Sequence, residues 1–212
     1  MKKCAVVVCL YGIFDDTLRS PIEMKGYWQY LQGVVEFISR LAGVGPGRKL
    51  GGAIVSPIVL CGGRTNPATS LSEAESVLPI LTQAISTRYQ DFRNVSGMIG
   101  VWPSSSLTHD VLLENKSSNT AQNIHNALEQ LLNFLGEDRC REGRILFVCD
   151  AVRRFPVWVL ARHLCDEKGL RFGGVVGLPR RDIHSNSKTW KQVLRGCRYL
   201  LRSDLIQKEL NA

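Results

Sequence analysis

Apolar runs of strand length alternate with stretches of helical period along most of the 212-residue chain. Ala5–Leu10 is uniformly apolar and predicts a buried first strand. Leu31, Val34, Val35, Ile38 and Leu41 then recur at helical spacing, and Gly43 marks a stop. SPIVLCGG predicts a second strand, with Pro57 near its start where a missing N–H is tolerated. SEAESVLPILTQAI predicts a helix that opens on Ser72 and Glu75 in capping-box spacing. Its apolar face would be Ala74, Leu78, Leu81 and Ile85, and Pro79 inside the pattern predicts a kink or a late helix start.

Residues 89–115 are the least regular: GMIGVW and DVLLEN both have strand character, and VLLEN is assigned to the sheet. Asn119 and Gln122 repeat the capping spacing, ahead of a helix lined by Ile124, Leu128, Leu131 and Leu135 and ended by Gly136. RILFVCD is apolar on both faces, as strands inside a parallel sheet are. A helix over 154–168 leads to Gly169, FGGVVGLP predicts the last strand, and the segment 188–210 closes as one helix or a pair. Such alternation with short connections predicts a single α/β domain over 1–212: a three-layer, Rossmann-like, doubly wound sheet, mainly parallel, of about five strands with helices on both faces. Ligands bind at the carboxyl edge of such sheets.

Charge changes the picture for the last third. Residues 1–138 hold 11 Lys and Arg against 12 Asp and Glu, whereas residues 139–212 hold 16 against 7. That asymmetry points to a small anionic ligand or an acidic surface, or else to a solvated basic face. No nucleic-acid motif accompanies the charge, which argues against nucleic acid as the partner. The seven cysteines form no CxxC pair and sit largely in apolar runs, favouring reduced thiols and a cytoplasmic setting over disulfides or a metal centre. The N-terminal apolar run is too short to span a membrane, and no later segment is long enough.

The predicted strand ends collect a polar rim. Gly12 follows the first strand, with Gly62, Gly63 and Arg64 after the second and Ser72 and Glu73 entering the next helix. Glu114, Ser117, Asn119, Thr120 and Asn123 follow the third, and Asp150, Arg153 and Arg154 the fourth. Each has two readings. The glycine pair either makes a tight turn or lets backbone N–H groups approach an anion. Asn119 caps a helix, yet a cap needs one side chain and this junction offers five small polar ones, which favours binding. Glu73, Glu114 and Asp150 suit a general base, a hydroxyl anchor or a cation ligand, while Arg153 and Arg154 suit an anion clamp. No hydrolytic triad or HExxH spacing is present.

IVLCGGRT…SEAE followed by E-x-x-S-x-N-T-x-x-N resembles the ElyC/SanA/YdcF domain family of mostly bacterial proteins. The middle motif falls on Glu114, Ser117, Asn119, Thr120 and Asn123, the glycine pair on Gly62 and Gly63, and the acidic position on Glu73. The likeness covers about residues 4–180. It implies a Rossmann-like fold with a pocket built from these motifs, and a link to lipid-carrier metabolism or to S-adenosylmethionine. The chain departs from the family where Arg153 replaces a histidine and Pro156 an arginine after the fourth strand. A proton-transfer role for that histidine does not carry over, because arginine keeps its proton.

Two functions follow as expectations. One is a binder of, or a transferase or phosphoester-type enzyme acting on, a nucleotide-like or phosphorylated molecule, S-adenosylmethionine included. The other is a non-catalytic module whose basic C-terminal third docks an acidic partner, membrane headgroups or nucleic acid.

Overall fold

The computed structural model describes residues 3–10, 20–41, 54–63, 70–96, 111–180 and 186–212. Five parallel strands form one sheet, as the alternating pattern predicts, and their order is β3-β2-β1-β4-β5. They are β1 (Lys3–Cys9), β2 (Ile54–Cys61), β3 (Val111–Glu114), β4 (Arg144–Asp150) and β5 (Phe172–Leu178). The helices are α1 (Pro21–Leu41), α2 (Glu73–Ser96), α3 (Thr120–Leu135), α4 (Glu137–Glu142), α5 (Arg154–Glu167), α6 (Asn186–Leu201) and α7 (Asp204–Leu210).

Residue parity along β1 explains the layers. Val6, Val8 and Leu10 join the core with α1 and α2, through Tyr30, Val34, Ile38, Val77 and Leu81. Ala5, Val7 and Cys9 point the other way, onto Ile124, Leu128 and Leu131 of α3 and Leu160 and Leu164 of α5. Every side chain from Cys4 to Leu10 is buried, which is why this stretch has no polar face to read. The chain winds outward from β1 to β3 with helices on one face, then crosses to β4 and β5 with helices on the other. Strand order reverses between β1 and β4, and the crevice outside that reversal is where open α/β sheets take ligands.

Local capping signals account for the starts of α1, α2 and α3. Ser20 and Glu23 form a reciprocal cap before α1, the Ser20 N–H donating to Glu23 Oε2 at 3.0 Å. Ser72 and Glu75 do the same for α2, at 2.7 Å from the Ser72 N–H and 3.1 Å back to Ser72 Oγ. The late start anticipated from Pro79 does not occur: α2 begins at Glu73 with Pro79 inside it. The double cap and the burial of Ala74 and Val77 fix the first turn. Pro79 itself faces solvent. Buried Val77, rather than half-buried Leu78, leads the inward face. Strand VLLEN forms as expected, while GMIGVW lies outside the described residues. The closing segment is a helix pair, and α4 is a short helix that periodicity does not announce. All seven cysteines are free, six of them buried. No described helix is long and apolar enough to cross a membrane.

Candidate functional site at the carboxyl edge

The described rim residues reach one edge of the sheet, where they form two groups. The first sits where β2 and β3 end. Gly62 donates its N–H to the Glu114 carbonyl at 2.9 Å, and the Gly62 and Gly63 carbonyls accept from Ala74 and Glu73, each at 3.1 Å. The space a side chain would occupy is filled at both glycines. A Cβ on Gly62 would lie 2.6 Å from the Glu73 Cβ, and one on Gly63 would lie 1.6 Å from the Ser117 carbonyl oxygen. The pair therefore joins β2 to the start of α2 and to the β3–α3 turn, which is the tight-junction reading of the motif.

Glu114 organises that turn. Its Oε1 accepts from the N–H groups of Lys116 (3.0 Å) and Ser117 (3.1 Å) and from Asn126 Nδ2 (3.2 Å). Asn126 also donates to Ser117 Oγ at 3.2 Å. Three donors on one oxygen give this buried carboxylate a structural role that a strand-end position does not reveal. Its Oε2, also buried, has no hydrogen-bond partner among the described residues, and neither has Asn123 Oδ1. Asn126 is missing from the sequence reading because it lies one helical turn past Asn123, outside the run of small polar residues that drew attention.

Asn119 is engaged twice. Its Oδ1 caps α3 by accepting from the Gln122 N–H at 2.9 Å, and its Nδ2 donates to the Glu209 carbonyl at 2.9 Å. Gln122 Nε2 adds a 3.4 Å bond to the Leu210 carbonyl. The carbonyl end of α7 thus sits against the N-terminus of α3, pairing opposite ends of two helix dipoles. Thr120, half-buried, begins α3 beside this contact, so the anticipated N–H site there shares its space with the protein's own α7. Ser72 is spent on the α2 cap and is fully buried. Glu73 is buried against Gly62.

The second group surrounds the strand-order reversal. Asp150 ends β4, is fully buried, and caps the 3-10 turn Ala151–Arg153 by accepting the Arg153 N–H at 3.1 Å. Its Oδ2 makes an ion pair with Arg153 Nε at 3.7 Å, too long for a hydrogen bond, and has no hydrogen-bond partner among the described residues. Burial pushes the Asp150 carboxyl above its ordinary range, against the opposing pull of Arg153 and Arg180. Arg154 begins α5 beside Gly177, where a Cβ would meet its Cδ at 3.1 Å. From α1, Tyr30 donates its hydroxyl to the Cys9 carbonyl at 2.9 Å, tying the helix to the end of β1. The Arg180 guanidinium lies 5.3 Å above the Tyr27 ring, which stacks on Tyr30. Arg180 follows the end of β5 on the same rim, whereas Tyr27 and Tyr30 were not anticipated, because they look like ordinary core positions of α1.

Glu114 and Asp150 lie on opposite faces of the sheet. Glu114 shares the register position of Cys61 and faces α3, whereas Cys149 occupies that face of β4 and Asp150 the opposite one. Two strands stand between β3 and β4, which at about 4.8 Å per spacing separates the strands by about 14 Å. Gly12 and Arg64 lie outside the described residues, as do 11–19, 64–69 and 181–185, the segments that continue from β1, β2 and Arg180. Among the described residues no cluster of His, Cys, Asp and Glu could hold a metal ion.

A cavity of about 520 Å³ opens elsewhere, between α6 and α7, lined by Lys191, Arg195, Arg198, Tyr199, Lys208 and Glu209 among others. Comparison with protein-family models, with curated proteins and with solved structures finds no match to this chain.

Proposed function

We propose that the protein binds a small anionic molecule, nucleotide-like or phosphorylated, in the crevice between the ends of β1 and β4. The observation that carries this reading is the buried Asp150 oxygen without a hydrogen bond, placed at the strand-order reversal beside Arg153, Arg154 and Arg180. A buried acceptor left open costs about 1–3 kcal/mol, and a ligand hydroxyl or amine would recover it while the guanidiniums take a phosphate or carboxylate. The likeness of the Glu114–Asn123 run to the ElyC/SanA/YdcF family adds S-adenosylmethionine to the ligand classes worth testing.

If the site is catalytic, Asp150 is the group that holds a proton at an unusually high pH for a carboxyl, and Arg153 and Arg180 balance negative charge on the substrate. Glu114, committed to the turn, positions the β3–α3 segment and has a single free oxygen for a ligand. Native mass spectrometry of the purified chain, followed by thermal shifts with nucleotides, S-adenosylmethionine and phosphosugars, tests the reading. A retained anion, or a shift that Asp150→Asn and Arg180→Ala remove, supports it. Absence of any bound mass together with no shift, or shifts unchanged in both variants, overturns it.

A further inference from the structure

Helix α6 exposes an apolar stripe that no described element covers. Trp190, Leu194, Cys197 and Leu201 recur at i, i+4, i+7 and i+11, which at 3.6 residues per turn places them within about 60° of one another. Trp190 is 66% exposed, Leu194 54% and Leu201 84%, with Leu200 alongside at 56%. The opposite face is the one that packs: Tyr199 is buried, and Gly196 meets Phe155 so closely that a Cβ would come within 2.4 Å of its ring. Exposure of single apolar residues is ordinary, but a Trp and three Leu on one helical surface form a patch.

Cations run along one flank of this stripe. Lys191, Arg195 and Arg198 lie on the side of α6 that faces α7, and Lys208 approaches from α7 to line the same groove. Arg195 is neutralised by a two-oxygen contact with Glu209 at 2.8 and 2.9 Å. Lys191 and Arg198 have no carboxylate partner among the described residues, Lys208 lies within electrostatic reach of Asp204 on its own helix, and the groove holds one acidic side chain, already engaged. The surface thus combines an insertable apolar ridge with a trough in which cations outnumber carboxylates.

We infer that α6, with the α6–α7 groove, is a docking surface for an anionic membrane: the ridge enters the headgroup layer and the groove takes lipid phosphates. Charge complementarity selects this occupant. A second copy laid symmetrically on the ridge would bring Lys191 and Arg198 toward their own counterparts, adding like-charge repulsion. A membrane of anionic lipids offers both an apolar layer for Trp190, Leu194 and Leu201 and a sheet of phosphates for the cations. Tryptophan favours that interfacial layer, and each cation near an anionic surface adds about fivefold to partitioning. This surface is separate from the carboxyl-edge site, so either can stand without the other.

Co-sedimentation of the full chain with phosphatidylcholine vesicles, with and without phosphatidylserine, tests the inference. Binding is expected with phosphatidylserine at low salt, falling steeply as salt rises. Trp190→Ser with Leu194→Ser, and separately Lys191→Glu with Arg198→Glu, are each expected to weaken it by about tenfold or more. All four positions are exposed or border solvent, so an unchanged circular dichroism spectrum and melting temperature certify the variants. No sedimentation with phosphatidylserine vesicles overturns the inference, and so does binding that both double variants retain. A dimer in solution that Trp190→Ser with Leu194→Ser converts to monomer, without lipid binding by the parent chain, assigns the ridge to a second copy and equally overturns it.

Discussion

Gly63 lies directly against the backbone of Ser117: a methyl group in place of its hydrogen would sit 1.6 Å from the Ser117 carbonyl oxygen. This contact presses the end of β2 onto the β3–α3 turn, and neither partner is the tip of a side chain that could swing aside. Gly63→Ala should therefore cost stability by overpacking, about 1–3 kcal/mol or more because backbone must move. Urea unfolding of the variant measures it. A loss under about 0.5 kcal/mol would mean the junction is far looser than this contact implies.

The Glu114 carboxylate distinguishes a turn-builder from a ligand anchor. Glu114→Gln keeps an oxygen for Lys116, Ser117 and Asn126 and should change stability little. Glu114→Ala strands those three donors and should cost about 2–4 kcal/mol. Denaturant midpoints of the two variants check the ordering, which reverses if the buried Oε2 rather than Oε1 dominates.

Asp150 predicts a pH dependence with a definite sign. Burial raises its folded-state pKa above the unfolded value, so its proton is held more tightly when folded. The stability this contributes is present below the unfolded value, about pH 4, and is lost as pH rises through the folded-state value. Asp150→Asn keeps an acceptor for the Arg153 N–H without the buried charge. The variant should melt higher than the parent at neutral pH and converge with it in acid. Melting curves across that range decide the matter, and a variant that is less stable at neutral pH would show that the Arg153 and Arg180 attractions outweigh burial.

Asn119 separates capping from tertiary docking. Asn119→Asp keeps the oxygen that accepts from Gln122 but loses the Nδ2 donor to Glu209. Expected is faster amide exchange in 204–210 with little change at the start of α3. Asn119→Ala should in addition cost about 1 kcal/mol of α3 stability. Hydrogen exchange resolved by peptide reads both, and equal protection of 204–210 in all three proteins would remove the docking role.

Much of this architecture is legible in one dimension because its causes are local. Apolar runs such as Ala5–Leu10 and RILFVCD mark strands buried on both faces, and Ser72 with Glu75 announces a helix start strong enough to hold despite Pro79. The polar residues at strand ends are legible for the same reason: once the sheet is parallel, those ends share an edge. What each does is another matter. Gly62 and Gly63 advertise missing side chains, but only packing shows that Glu73 and Ser117 occupy the gaps.

Pattern alone therefore determined the α/β class, the five strands and the longer helices between them, and the gathering of polar groups at strand ends, since hydrophobic period and capping chemistry act over a few residues. Tertiary structure decided which face each carboxylate serves, that Asn126 completes the Glu114 turn, that Tyr27, Tyr30 and Arg180 join Asp150, and that α7 closes on α3. Those outcomes depend on strand register and on contacts between residues far apart in the chain, which side-chain periodicity does not encode.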